Sequence, residues 1–278
     1  MGLIDPYFRE AGSGPAVVCI HAGFGTSGQW RPLMERLAGQ FRVIACDMSN
    51  SGKSGAIPRG IKYTLDEEVA FLGPIFRTSD NTFHLVGHSF GGAVALKAAL
   101  RYRGRVRSLI LFEPTLFALL VSSAPETPAA REIVSHIEST TRRANLGHHE
   151  SAAQEFVDYW FHSGAWASTR EEVRADIRGR MSLIGQRWDA LLHDSVALSD
   201  VATIDIPVLI LAAGNSNAPT SALGQLLIET LPHVRRIEME GVGHMAPLSD
   251  PDRVNSLIEA FLQEVAFSQG PSDSKTCS

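Results

Sequence analysis

Cysteine is scarce: the 278 residues hold three, Cys19, Cys46 and Cys277. An odd number without a repeating spacing offers neither a disulfide framework nor a zinc ligand set. Two of them sit in apolar runs and the third in a polar tail. They read as reduced thiols in a cytoplasmic protein. No run of roughly 18 apolar residues exists to span a bilayer. The start, MGLIDPYFRE, lacks the basic-then-apolar order of a secretory leader. Positive charge is not in excess either. Twenty-five Lys and Arg stand against 30 Asp and Glu, for a net charge of −5, which argues against nucleic acid or an acidic membrane as a partner. No internal repeat appears, so a solenoid is excluded.

Hydrophobic residues make up 44% of the chain and charged residues 20%, enough for one large α/β core. Short apolar runs at 16–20, 41–46, 83–86, 106–112, 207–213 and 234–239 read as strands, with a short edge strand at 4–10. Their continuous apolar character suits a sheet covered on both faces. Helical patterns lie between them, at 29–38, 93–100, 221–231 and 250–267. Thr64 to Glu67 forms a capping box that opens another helix, running to Arg77 and bent at Pro74. Strand alternating with helix implies right-handed crossovers and a mostly parallel sheet. From 116 to 202 the alternation stops. Helical segments at 129–145, 151–163 and 169–195 follow, the last opened by a capping box at Thr169 to Glu172. An all-helical insert in such a pattern forms a cap over the strand C-termini. It holds Trp160, Trp166 and Trp188, each of which on its own more readily packs the insert's core. The polar segment 268–278 reads as a disordered tail.

One stretch carries chemistry. An apolar run ends in Gly87-His88-Ser89-Phe90-Gly91-Gly92 and a helical Ala/Leu pattern follows. Ser89 stands in G-x-S-x-G between strand and helix, the arrangement of a nucleophile elbow. Gly at 87 and 91 leaves room where strand and helix cross, and the helix N-terminus points free N–H groups at the same place. A Ser hydroxyl needs a base. In an open α/β sheet the partners meet at the carboxyl ends of the strands. His21 and His244 each follow a strand, and His88 flanks Ser89. His244 is the best choice, because Gly241 and Gly243 give its loop freedom to reach inward. His148 and His149 read as a solvated pair, and His84 as packed on the elbow strand.

Two motifs point elsewhere. GFGTSG at 23–28 fits a dinucleotide fingerprint, with Asp47 at the required distance. Against it, His21, Thr26 and Ser27 sit where that turn packs tightly. Gly52-Lys53-Ser54 resembles the end of a phosphate-binding loop, but Asp47 stands where its first Gly belongs.

With HAGFGTSGQW, CDMSNSGKS, GHSFGG and GHMAPLSDPDRV in this order, the chain resembles the α/β-hydrolase superfamily. The resemblance covers nearly the whole chain. It implies a mostly parallel, eight-stranded central sheet flanked by helices, with an all-helical cap inserted after the sixth strand. The core is then 1–115 and 203–267 and the cap 116–202. It implies Ser89 as nucleophile, His244 as general base, and an oxyanion hole from the N–H groups of Gly23 and Phe90, each donor worth on the order of 3 kcal/mol. The family's commonest acid position, after the seventh strand, holds Asn217 in a stretch without a carboxylate. Glu113, directly after the preceding strand, is the alternative, and Ser89–Glu113–His244 is the expected triad. The expected activity is hydrolysis of a carboxylic ester, thioester or lactone through an acyl-enzyme, on a small, partly apolar substrate, with no metal or organic cofactor. Carbon–carbon bond hydrolysis, perhydrolysis, and a ligand-binding protein that merely keeps the fold stay open. A Ser nucleophile argues against dehalogenase or epoxide-hydrolase chemistry, and a nicotinamide-dependent enzyme is the remaining competitor.

Overall fold

A computed structural model of the protein describes residues 6–58 and 60–268. The expected tail from 269 and the first two residues of the expected edge strand lie outside the described residues. In chain order come β1 (Phe8–Ala11), β2 (Ala16–Ile20), α1 (Arg31–Leu37), β3 (Arg42–Cys46), α2 (Leu65–Phe71), α3 (Gly73–Thr78), β4 (Phe83–His88), α4 (Phe90–Arg101) and β5 (Val106–Phe112). Seven helices follow: α5 (Phe117–Ser123), α6 (Pro128–Asn145), α7 (His149–Trp160), α8 (Ala165–Ser168), α9 (Glu171–Arg180), α10 (Ile184–Leu192) and α11 (Leu198–Val201). The alternation resumes with β6 (Val208–Ala213), α12 (Ala218–Thr230), β7 (Val234–Met239), α13 (Ala246–Ser249) and α14 (Pro251–Ser268).

The strands form one sheet in the order β1-β3-β2-β4-β5-β6-β7. Only β1 runs antiparallel, against β3. The sheet holds seven strands among the described residues where the resemblance implied eight, so the helical insert follows the fifth strand in chain order. β2 and β4 are buried at every position. Their alternate residues feed two cores, since side chains point to opposite faces with period two. Val18, Ile20 and Leu85 pack with α2, α4 and the insert. Val17, Cys19 and Val86 pack with Trp30 and Leu33 on one side of the chain and with Phe261 and Leu262 of α14. No helix among the described residues is long and apolar enough to cross a membrane.

Three helix readings change. The helix opened by Thr64 is capped as expected, its Oγ1 accepting from Glu67 N at 3.1 Å, but it breaks rather than bends. Pro74 falls in the first turn of α3, where a missing N–H costs nothing. The expected single helix 169–195 splits into α9, a 3₁₀ turn at Met181–Leu183 and α10. Its capping box does not form, because Thr169 Oγ1 donates to Ala165 O at 2.9 Å and Arg170 becomes an N-cap without a side-chain bond. Finally, α12 starts three residues before the expected position, capped by Asn217 Oδ1, which accepts from Thr220 N at 3.0 Å.

Candidate active site

Ser89 is the single residue between β4 and α4. It holds φ 55° and ψ −119°, a region that costs a non-glycine residue about 1–3 kcal/mol. Its surroundings impose that conformation. Ser89 N donates to Phe112 O at 3.0 Å, and Ser89 O accepts from Gly92 N and Ala93 N at 2.8 and 3.1 Å. The flanking glycines are demanded by close approach. A Cβ at Gly87 would lie 2.5 Å from Gly91 O, and one at Gly91 would lie 2.3 Å from His21 O.

Three side chains from three loops meet at this turn. His244 Nε2 lies 2.9 Å from Ser89 Oγ, and His244 Nδ1 lies 2.7 Å from Glu113 Oε2. All three are buried, with relative exposures of 9% for Ser89, 4% for His244 and 3% for Glu113. A carboxylate only accepts, so Nδ1 carries the proton and Nε2 is left to accept from the Ser hydroxyl. Glu113 directly follows β5, in the left-handed region at φ 43°. Its second oxygen, Oε1, accepts from Ala213 N at 2.9 Å. Both carboxylate oxygens are therefore bonded, as burial of a charge requires. Asn217 is not brought to this group; its side chain caps α12.

His88 and His21 buttress the site from below. His88 Nε2 donates to the backbone oxygen of His244 at 2.9 Å. Burial first, and then the neighbouring His244, push its pKa well below the usual histidine value. His21 Nδ1 donates to Ala22 O at 2.7 Å, and its Nε2 accepts from Met48 N at 3.1 Å. Burial lowers its pKa to about 4, so it is a neutral brace between two loops. His84 lies on the elbow strand as expected, bonded to Ser108 Oγ at 2.7 Å, and His148 is exposed.

The glycine loop after β2 turns at once, Gly25 N donating to Ala22 O at 3.0 Å. Gly23 and Phe90 line one cavity with Ser89 and His244, and neither N–H has an acceptor among the described residues. The fold itself leaves room at Gly23, where an added Cβ meets only Phe90 Cβ at 3.6 Å. Asp47, the acid of the apparent dinucleotide fingerprint, is spent inside the protein. Its oxygens accept from Ser27 N at 2.5 Å and Lys53 N at 2.8 Å. Ser54 of the apparent phosphate loop donates to Asp47 O at 2.7 Å. Neither motif is free to hold a nucleotide in the usual way.

A narrow cavity of about 40 Å³ opens over Ser89 and His244. Core loops supply its floor, and Phe156, Trp160, Ile184, Arg187, Trp188 and Leu191 of the insert line the rest. Trp160 and Trp188 thus do more than fill the insert, and Trp160 packs 4.6 Å from the His244 ring. Trp166 stays within the insert, its Nε1 donating to Glu150 Oε1 at 3.0 Å. Sequence reasoning missed Thr115 and Arg187 in this lining. Arg187 left a signal, since it stands three residues after Ile184 and four before Leu191, on the apolar stripe of α10.

A strand–serine–helix elbow on a mostly parallel sheet, with a helical insert above it, defines the architecture of the α/β hydrolases. The chain belongs to the family described as alpha/beta hydrolase fold, which matches residues 15–251, and it is a hydrolase of that family. It is 28% identical over 281 residues to "Putative carbamate hydrolase RutD" of Pantoea ananatis, covering 96% of this chain and 97% of the relative. Over a shorter stretch of 114 residues it is 38% identical to the 2-hydroxy-6-oxo-2,4-heptadienoate hydrolase of Pseudomonas putida, covering 40% of this chain and 41% of the relative. Among solved structures it is similar to MGS-M2, an alpha/beta hydrolase from a Medee basin deep-sea metagenome, with a TM-score of 0.77 at 18% identity over 98% of this chain and 97% of that one.

Proposed function

We propose that the protein is a serine hydrolase that cleaves a carboxylic ester, thioester or lactone through an acyl-enzyme. The observation that carries this reading is the unbroken hydrogen-bonded line from Ser89 Oγ through His244 to Glu113, at 2.9 and 2.7 Å. Ser89 Oγ attacks the carbonyl carbon as His244 Nε2 takes its proton. Glu113 stabilises the imidazolium and keeps its ring oriented. The N–H groups of Gly23 and Phe90 receive the oxyanion, each donor worth on the order of 3 kcal/mol. His244 then returns the proton to the leaving group. Water enters, gives a proton to the same nitrogen and releases the acid. The segment 116–202 acts as a lid over the core formed by 1–115 and 203–267, in a cytoplasmic setting suited to the buried free thiols of Cys19 and Cys46.

A fluorophosphonate probe and p-nitrophenyl esters test this reading. Wild-type protein is labelled and turns over the esters, and Ser89→Ala does neither while melting at a similar temperature. Wild-type protein that is folded but neither labels nor turns over would favour a ligand-binding role. Cleavage of a carbon–carbon bond is a second reading, favoured by the 38% identity to the heptadienoate hydrolase. It predicts turnover of a vinylogous 1,5-diketone in preference to a simple ester.

A further inference from the structure

Arg187 has no use in the chemistry described above, and its setting is unusual. It sits on α10 and is 4% exposed, yet it lines the cavity that holds Ser89 and His244. Its Nη2 donates to Ser49 O at 3.1 Å and to Ser51 Oγ at 3.3 Å. Both acceptors are neutral. Its Nη1 is buried without any partner. The guanidinium carbon lies 5.5 Å from the ring centroids of both Phe24 and Phe90. These faces favour a cation but offer no hydrogen-bond acceptor.

A guanidinium does not deprotonate in a protein, so this charge must be met by something else. The buried carboxylate behind it, Glu68, is fully engaged. It accepts from Ser49 N at 2.8 Å, Ser49 Oγ at 2.6 Å and Tyr63 OH at 2.6 Å. It neutralises Arg187 only through Ser49. A buried charge without a directly bonded counter-ion is costly to keep, and the open side of this one is the cavity. Trp160 and Trp188 line the same cavity, and none of its lining residues carries a carboxylate.

We propose that Arg187 binds a carboxylate carried by the substrate, apart from the bond that is cleaved. One guanidinium with one free Nη1 matches a single negative charge better than a phosphate dianion; Arg180, 5.3 Å from the centroid of the Phe24 ring, is already paired with Asp176 and does not line the cavity. This rests on the serine-hydrolase reading for the reaction, but not for the binding. The preferred substrate is then a half-ester of a dicarboxylic acid, or its lactone or thioester counterpart, rather than a neutral ester.

The test uses the full chain as Ser89→Ala, titrated calorimetrically with monoethyl esters of the dicarboxylic acids from succinate to suberate and with the matching diethyl esters. At the favoured length, the monoester binds at least about tenfold more tightly than its diester, the ratio expected of one charge-assisted hydrogen bond. Adding Arg187→Gln collapses that ratio towards one, and Arg187→Lys keeps part of it. If Arg187→Gln fails to fold, the monoester-to-diester ratio in Ser89→Ala alone decides. Equal or tighter binding of the diesters at every length overturns the proposal, as does a preference that survives in a folded Arg187→Gln. Failure of wild-type protein to hydrolyse any ester overturns the reaction assigned above and leaves the binding ratio standing.

Discussion

Replacing Glu113 by Gln isolates the charge behind His244 with little change of shape. In the transition state His244 carries a positive charge, 2.7 Å from Glu113 across the Nδ1 hydrogen bond. Taking the charge centres about 4 Å apart and an effective permittivity of about 20, the lost attraction is about 4 kcal/mol, or about a thousandfold in kcat. A second effect adds to it. Ala213 N donates to Oε1 of residue 113 at 2.9 Å, so the amide oxygen of Gln keeps that place and its NH₂ turns towards His244 Nδ1. The ring must then accept at Nδ1 and carry its proton on Nε2. That tautomer cannot take a proton from Ser89. Turnover of a p-nitrophenyl ester near neutral pH should therefore fall by a factor of about 10³ to 10⁴, with a nearly unchanged melting temperature. Asn217→Ala is the matched control. It removes an N-cap bond and should cost about 1 kcal/mol of stability with kcat intact. Should Glu113→Gln stay within tenfold of wild type, or Asn217→Ala lose more than tenfold, the acid would not be Glu113.

Two further outcomes concern the frame around the site. Gly91→Ala places a Cβ 2.3 Å from His21 O and 2.4 Å from Ile20 O, so β2 or α4 must move, at about 3 kcal/mol or roughly 6–10 °C of melting temperature; an unchanged melt would refute the close crossing. Burial lowers His21, His84 and His136 from 6.5 to about 4. Their folded pKa values lie below the unfolded one, so below 6.5 the unfolded chain takes up protons that the folded chain refuses. Stability is then full above about pH 6.5 and falls towards pH 4 by about 1.4 kcal/mol per unit for each histidine. Between pH 6.5 and 5 the three together lose roughly 5 kcal/mol, which urea midpoints at the two pH values would reveal; equal midpoints would sink the idea that these rings are held neutral.

Much of this was legible in the residues. Apolar runs bounded by Gly, Pro and Asp located five strands to within a residue and the elbow strand to within two, because a sheet covered on both faces leaves little ambiguity in a run such as AVVCI. Ser89 and His244 stood out for a local reason, since each occupies a glycine-rich turn at a strand end. What failed was local chemistry overridden by its neighbours. Thr169 looked like a cap, but Ala165 O claimed its hydroxyl. The long third segment of the insert read as one helix because its apolar spacing survives the break at Met181–Leu183. Asn217 was readable as a cap, with Pro219 two residues on, where an N-terminal turn accepts proline; only the expectation of an acid there obscured it. Arg187 was hidden by composition, since an arginine on an apolar stripe reads as an imperfection until a cavity is seen beneath it.

The position of Glu113 also has a geometric account. β5 and β6 are hydrogen-bonded neighbours, with Phe112 opposite Leu211, and Glu113 N continues that ladder to Leu211 O at 3.1 Å. Residue 113 therefore ends level with Ala212 and Ala213, just before the loop in which the commoner acid position lies. The Oε1 bond to Ala213 N ties the carboxylate to the end of β6 itself. An acid rooted at the end of β5 is thus held beside His244 and tied to β6 at once. Supplied from β5, it leaves the loop after β6 without an electrostatic duty, and Asn217 serves there as a cap that starts α12 early.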